Sequence, residues 1–196
     1  MNNDLKDTLV LCDLDHLLLD ANGSLPQVLR DVMQLFASRG GRLTVFSQRS
    51  PRAVRTLLGS VRLAAPALVC GGTLAYQFST GTAQALCSFA GREETVLQKL
   101  PSAVGLGIAL QMTDGTTRVL RMSEALEAHL REEWTPFVLS NAADVRGEDV
   151  LRILLYQDKK QMPLLPLLDQ TLGEAGNTVL AARTAPDTLV LTPGAV

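Results

Sequence analysis

Apolar runs and amphipathic stretches alternate through the first third of the chain. The run Thr8, Leu9, Val10, Leu11, Cys12 is short and continuous, which predicts a parallel strand covered on both faces. A helix follows. Ser24 and Gln27 stand at capping-box spacing with Pro26 in the first turn, and Leu25, Val28, Leu29, Val32, Leu35 and Phe36 form one apolar stripe ending at Gly40-Gly41. Residues 43–46 predict a second strand. Ser50-Pro51 then opens another helix as cap and first residue, with Gly59 closing it, and residues 67–70 predict a third strand. Strand, helix, strand, helix, strand is half of a doubly wound parallel sheet by the right-handed crossover rule.

The rhythm then changes. Residues 73–78 and 85–89 flank Ser79-Thr80-Gly81-Thr82 as a hairpin. Beyond about Gly91 the pattern predicts helices over 93–100, 124–131 and 162–172, the last with Pro163 and Pro166 in its opening turn. Strands are expected at 108–112, 117–120, 151–156, 178–181 and 188–191. This half reads as an antiparallel sheet with helices on one face. The expected division is a core over 1–90 and a second α/β part over 91–196. Trp134 and Phe137 are expected to pack inside that part.

Composition sets limits. With 46% hydrophobic and 19% charged residues the chain is globular, and its net charge of -2 argues against nucleic acid as a partner. No acid occurs between Asp31 and Glu93, while Arg39, Arg42, Arg49, Arg52, Arg55, Arg62 and Arg92 fall there, a bias that would attract a small anion. Cys12, Cys70 and Cys87 have no ligand-like spacing and sit in apolar contexts, so they read as buried thiols in a reducing cytoplasm. No stretch is apolar enough to cross a membrane, and the polar start is no export signal.

Chemistry concentrates at Asp13-Leu14-Asp15, two carboxylates where the first strand stops. Period-two geometry sends both side chains the same way from the strand's carboxyl end, where open α/β sheets bind ligands. Like charges this close need a cation or a shared proton. Ser47, before the cap and proline of the next helix, offers a hydroxyl beside a helix N-terminus that suits an anion. His16 reads as incidental, and His129, beside acids on its helix, has no partner histidine near it in sequence.

This order of features resembles the haloacid dehalogenase (HAD) superfamily, and within it the Cof-type sugar-phosphate phosphatases. The family opens with DxDGTLL, matched here by Asp13-Leu14-Asp15-His16-Leu17-Leu18-Leu19. Its (T/S)GR motif is matched by Ser47-Gln48-Arg49, and its NGA turn by Cys70-Gly71-Gly72-Thr73. The resemblance implies an α/β fold, an incomplete doubly wound core over 1–90 with an α/β cap over 91–196. It implies a Mg²⁺-dependent phosphatase of small phosphorylated metabolites, sugar phosphates among them, working through an aspartyl-phosphate. Asp13 would be the nucleophile and Asp15 the general acid and base. Both would hold the metal, and Ser47, Gln48 and Arg49 would bind phosphate. The chain departs from the pattern at His16 and Leu17, where the family has glycine and threonine, and the family's lysine and distal acidic motifs have no counterpart. Those departures suggest the alternative of a catalytically degenerate relative with a binding role. They also suggest that the C-terminal part of the core is missing from the gene or the chain in hand. The first strand would then be a bare apolar edge, which predicts one of three things: self-association along it as a homodimer, a rearranged fold, or a chain cut from a longer protein.

Overall fold

Three parallel strands run side by side where the first third of the sequence predicts them: β1 (Leu9–Asp13), β2 (Arg42–Phe46) and β3 (Ala67–Val69). They belong to a computed structural model that describes residues 5, 7–145, 149–158, 168 and 179–194. The chain divides into two units, Met1–Leu86 and Cys87–Val196.

In the first unit, β4 (Leu74–Gln77) and β5 (Thr82–Ala85) extend the sheet as an antiparallel hairpin, giving the order β1-β2-β3-β4-β5. The hairpin's second strand lies earlier than the apolar run at 85–89 predicts. Thr82 belongs to the strand, paired with Gln77 around a turn at Gly81. Helix α1 (Gln27–Ser38) begins without the expected capping box: Pro26 is the flanking residue and no side chain caps the end. Asp20 Oδ1 accepts from the amides of Asn22 and Ser24, which turns the loop ahead of the helix. Helix α2 (Pro51–Leu58) follows its signals closely. Ser50 Oγ accepts from the Ala53 amide at 3.3 Å, Pro51 is the first residue, and Gly59 closes the helix at φ 57°. Arg30 of α1 donates to the carbonyls of Leu57 and Leu58, satisfying the C-terminal end of α2.

One expectation for β1 fails and its conditional form holds. Among the described residues β1 is an edge strand paired only with β2, so Leu9 and Leu11 remain 54% and 50% exposed instead of buried. The predicted stripe divides likewise: Leu25, just ahead of α1, is buried and Leu29 and Phe36 are half-buried, while Val28, Val32 and Leu35 are exposed and Met33, outside the stripe, is buried.

The second unit is a six-stranded sheet in the order β10-β11-β9-β6-β7-β8. Its strands are β6 (Leu106–Met112), β7 (Thr117–Arg121), β8 (Val138–Leu139), β9 (Val150–Gln157), β10 (Val179–Ala185) and β11 (Thr188–Pro193). All neighbours are antiparallel except β7 and β8. Strand β9 is fully buried between β6 and β11. Helices cover both faces, not one. Val96 of α3 (Glu93–Lys99) packs in the cluster of Ile108, Leu110, Ile153 and Leu155, while Leu126 and Leu130 of α4 (Glu124–Glu132) pack with Ala109, Leu154 and Tyr156. Alternation along β9 separates the two layers. Gly107 lets α4 come close: a β-carbon there would lie 2.6 Å from Ser123 Oγ and 2.8 Å from Leu126 Cβ.

Two smaller expectations need correction. Trp134 is 76% exposed and Phe137 is exposed too, so neither packs inside. Of the cysteines, Cys70 is buried, Cys12 half-buried and Cys87 exposed. Asp158, just after β9, accepts from the Ala125 amide at the start of α4. The helix expected at 162–172 lies, but for Leu168, outside the described residues.

Candidate active site

Strand β1 delivers Asp13 to the sheet's carboxyl edge and then stops. The backbone winds into a single π-helical turn, Leu14–Leu18, closed by the Leu19 amide on the Leu14 carbonyl at 3.1 Å. Burial of Leu14 and Leu18 anchors that turn. Asp15 is therefore not the next outward position of an extended strand, and the two carboxylates do not share a direction with common partners.

Asp13 is answered by His16. The His16 amide donates to Asp13 Oδ1 at 3.0 Å, and Nδ1 of its ring lies 3.2 Å and 3.1 Å from the two carboxylate oxygens. The amide bond is the largest influence holding the Asp13 carboxyl below its ordinary value, against a smaller opposing effect of burial and with further help from the imidazole. Asp13 is thus a solvent-facing, ionised carboxylate; its side chain is 38% exposed and that of His16 77%.

Asp15 turns towards the loop after β2. Its Oδ2 accepts from the Ser47 hydroxyl at 2.9 Å and the Gln48 amide at 2.7 Å, and its Oδ1 accepts from Arg49 Nε at 2.8 Å. The side chains of Arg49 and Asp15 are only 25% and 13% exposed. Further bonds hold the loop to the end of β3: the Arg49 amide donates to Ser47 Oγ, the Cys70 amide to the Arg49 carbonyl, and the Gly71 amide to the Ser47 carbonyl. The Cys70–Gly72 turn needs positive φ at each position, which Cys70 adopts at 52° although it carries a β-carbon.

The structure therefore brings Asp13, Asp15, Ser47, Gln48 and Arg49 to one edge of the sheet, in an unexpected pairing. The donors expected to receive phosphate hold the Asp15 carboxylate. Sequence reasoning passed over His16, whose position three residues after Asp13 at the mouth of a helical turn was the available signal.

A hard divalent cation wants several oxygen ligands. Asp13 has an imidazole against it, Asp15 has its oxygens turned to three donors, and no group of three or more His, Cys, Asp or Glu able to hold a metal occurs among the described residues. As arranged, these residues do not fit Mg²⁺.

No family model matches the chain, and no curated protein does so by sequence. Solved structures do. A Thermotoga maritima protein superposes with a TM-score of 0.75 at 18% identity, covering 96% of this chain and 70% of its own. A haloacid dehalogenase-like hydrolase from Bacteroides thetaiotaomicron gives 0.79 at 15%, covering 95% and 71%. The fold is that of the HAD-like hydrolases. A sugar phosphatase of HAD subclass IIB matches too, with a TM-score of 0.68 at 11% identity over 95% of this chain and 70% of its own. In that HAD-like frame Asp13 ends the first core strand, and Ser47-Gln48-Arg49 follows the second. Among the described residues no helix is long and apolar enough to cross a membrane.

Proposed function

We propose that this chain acts on small phosphorylated metabolites, sugar phosphates among them, as a phosphatase-type protein in which Asp13 attacks phosphorus. The observation that carries this reading is Asp13 itself: an exposed carboxylate kept ionised by the His16 amide, at the carboxyl end of a parallel strand in a HAD-like sheet. An oxygen lone pair of Asp13 forms the O–P bond as the ester O–P bond breaks, and the departing alkoxide takes a proton from Asp15. Water then attacks the aspartyl-phosphate, gives its proton to Asp15, and releases phosphate with the Asp13 carboxylate restored. For Asp15 to carry a proton it must leave Arg49, so the substrate's phosphate has to displace it from the Ser47 hydroxyl and the Gln48 amide. A carboxylate and a phosphoryl oxygen ask for the same donors, which makes that exchange chemically reasonable.

A second reading is binding without turnover. It is favoured by the three donors that hold Asp15 and by a donor set that does not fit Mg²⁺. Purified chain incubated with p-nitrophenyl phosphate, with and without Mg²⁺, separates the readings. Turnover that Asp13→Asn abolishes supports the first; calorimetric binding of glucose 6-phosphate without turnover supports the second. Neither turnover nor binding refutes both.

Two further proposals accompany this reading. The exposed Leu9 and Leu11 on the free edge of β1 support pairing with a second copy. The free thiols support a cytoplasmic location.

A further inference from the structure

A cavity of about 270 Å³ lies in the second unit between α3 and the segment that follows β8. Its deepest lining is Glu93, the first residue of α3 and 2% exposed, together with Val145, 1% exposed. Ala142 and Ala143, both exposed, form the mouth, and the half-buried Leu97 lies one helical turn beyond Glu93 on the same face. No lysine or arginine lines the cavity among the described residues. Arg92, next to Glu93 in the chain, donates Nε to the Phe89 carbonyl at 3.0 Å and is not part of the lining.

An acid in the first turn of a helix is ordinary, because it meets the positive end of the peptide dipoles. The burial of this one is not. Glu93 Oε2 is shut away from solvent and has no hydrogen-bond partner among the described residues. Native proteins leave few buried polar atoms unpaired, and an unpaired carboxylate oxygen costs more than a neutral group. Glu94, the other acid of the lining, differs: it is less buried and accepts from Gln98 Nε2 at 3.4 Å. Glu93 is therefore the carboxylate that a ligand's donor would satisfy.

We propose that this cavity binds a small primary amine with an apolar body, its ammonium on Glu93 and its body against Leu97, Val145 and the two alanines. An ammonium supplies both the donors and the charge that the buried oxygen lacks. The rest of the lining offers methyl and methylene groups, which a metal ion would leave uncovered, and no group of three or more His, Cys, Asp or Glu able to hold a metal occurs among the described residues. Four residues of helix separate Glu93 from Leu97 by about 6 Å along the axis, the span of an ammonium on a two-carbon arm from a ring or branched alkyl group. The volume agrees, being somewhat larger than the ~150 Å³ of an apolar cavity that takes up benzene. The lining shares no residue with the phosphatase reading, so the proposal stands or falls independently of it.

The test is calorimetry of the whole chain with phenethylamine, set against 2-phenylethanol, which has the same body and no charge, and methylammonium, which has the charge and no body. Phenethylamine should bind one to one, with each of the other two weaker by about tenfold or more. In Glu93→Gln the preference for amine over alcohol should disappear, whereas loss of a merely structural residue would weaken both alike. Ala143→Leu, at an exposed position, leaves the core untouched and should block phenethylamine by filling the mouth. No saturable heat from phenethylamine, equal binding of either comparator, a preference that survives Glu93→Gln, or an affinity that Ala143→Leu leaves unaltered would overturn the proposal.

Discussion

Asp15→Asn should destabilise the first unit far more than Asp13→Asn, although the two carboxylates are two residues apart. Asp15 accepts three charge-assisted bonds at 2.7 to 2.9 Å. An asparagine offers one acceptor oxygen and one amino group. If the oxygen faces Ser47 and Gln48, the amino group meets Arg49 Nε, donor against donor; the reverse orientation collides with the other two donors. Bonds to charged groups contribute about 1.5–3 kcal/mol each and are not additive, while the quarter-exposed Arg49 can turn to water. The net loss should be about 2–3 kcal/mol, below that of a fully buried pair broken on one side. Urea unfolding followed by far-ultraviolet dichroism measures it. In a cycle with Arg49→Met, the coupling should be about 1–2 kcal/mol. Asp13→Asn, at a more exposed pair with His16, should lose less than about 1 kcal/mol. A loss below about 0.5 kcal/mol for Asp15→Asn, or an additive cycle, would refute the claim that Asp15 ties the π-helical turn to the loop after β2.

Three other outcomes follow from the same structure. The Asp13 carboxyl should titrate below the ordinary 3.8 by carbon-detected NMR; because its folded value is the lower one, its stabilising contribution is full above 3.8 and fades as pH falls further, so the stability gap to Asp13→Asn should close in acid. Gly107→Ala should cost about 1–3 kcal/mol in chemical denaturation, because the added methyl meets Ser123 Oγ and Leu126 Cβ well inside contact distance; an unchanged midpoint would contradict that packing. Leu11→Lys should shift sedimentation towards monomer if the β1 edge pairs with a second copy, and an unaltered distribution would remove that proposal.

Local chemistry made much of this fold legible. Ser50, Pro51 and Gly59 marked both ends of α2, where Gly59 takes φ 57°. Patterns could not tell which faces find a partner. The run at 8–12 has the composition of a covered strand, yet β1 is an edge, because coverage belongs to neighbours remote in sequence. The helices of the second unit divide between two faces for the same reason. At the site, the residues were visible and their pairing was not. The period-two rule assumed that the strand runs on through Asp15, whereas burial of Leu14 and Leu18 drives a helical turn that swings Asp15 onto Arg49. His16 was passed over because a histidine in a loop has no periodicity to betray its contact with Asp13.

The central claim is that the ends of β1 and β2 form a seat where phosphate competes with the Asp15 carboxylate. Titrating the ¹⁵N-labelled chain with inorganic phosphate tests it most directly. The account predicts saturable shifts at the amides of Gln48, Arg49 and His16, with a much smaller response in Ser47→Ala. Amides at those positions that stay still while phosphate is added, or shifts confined to residues beyond Leu86, would contradict it.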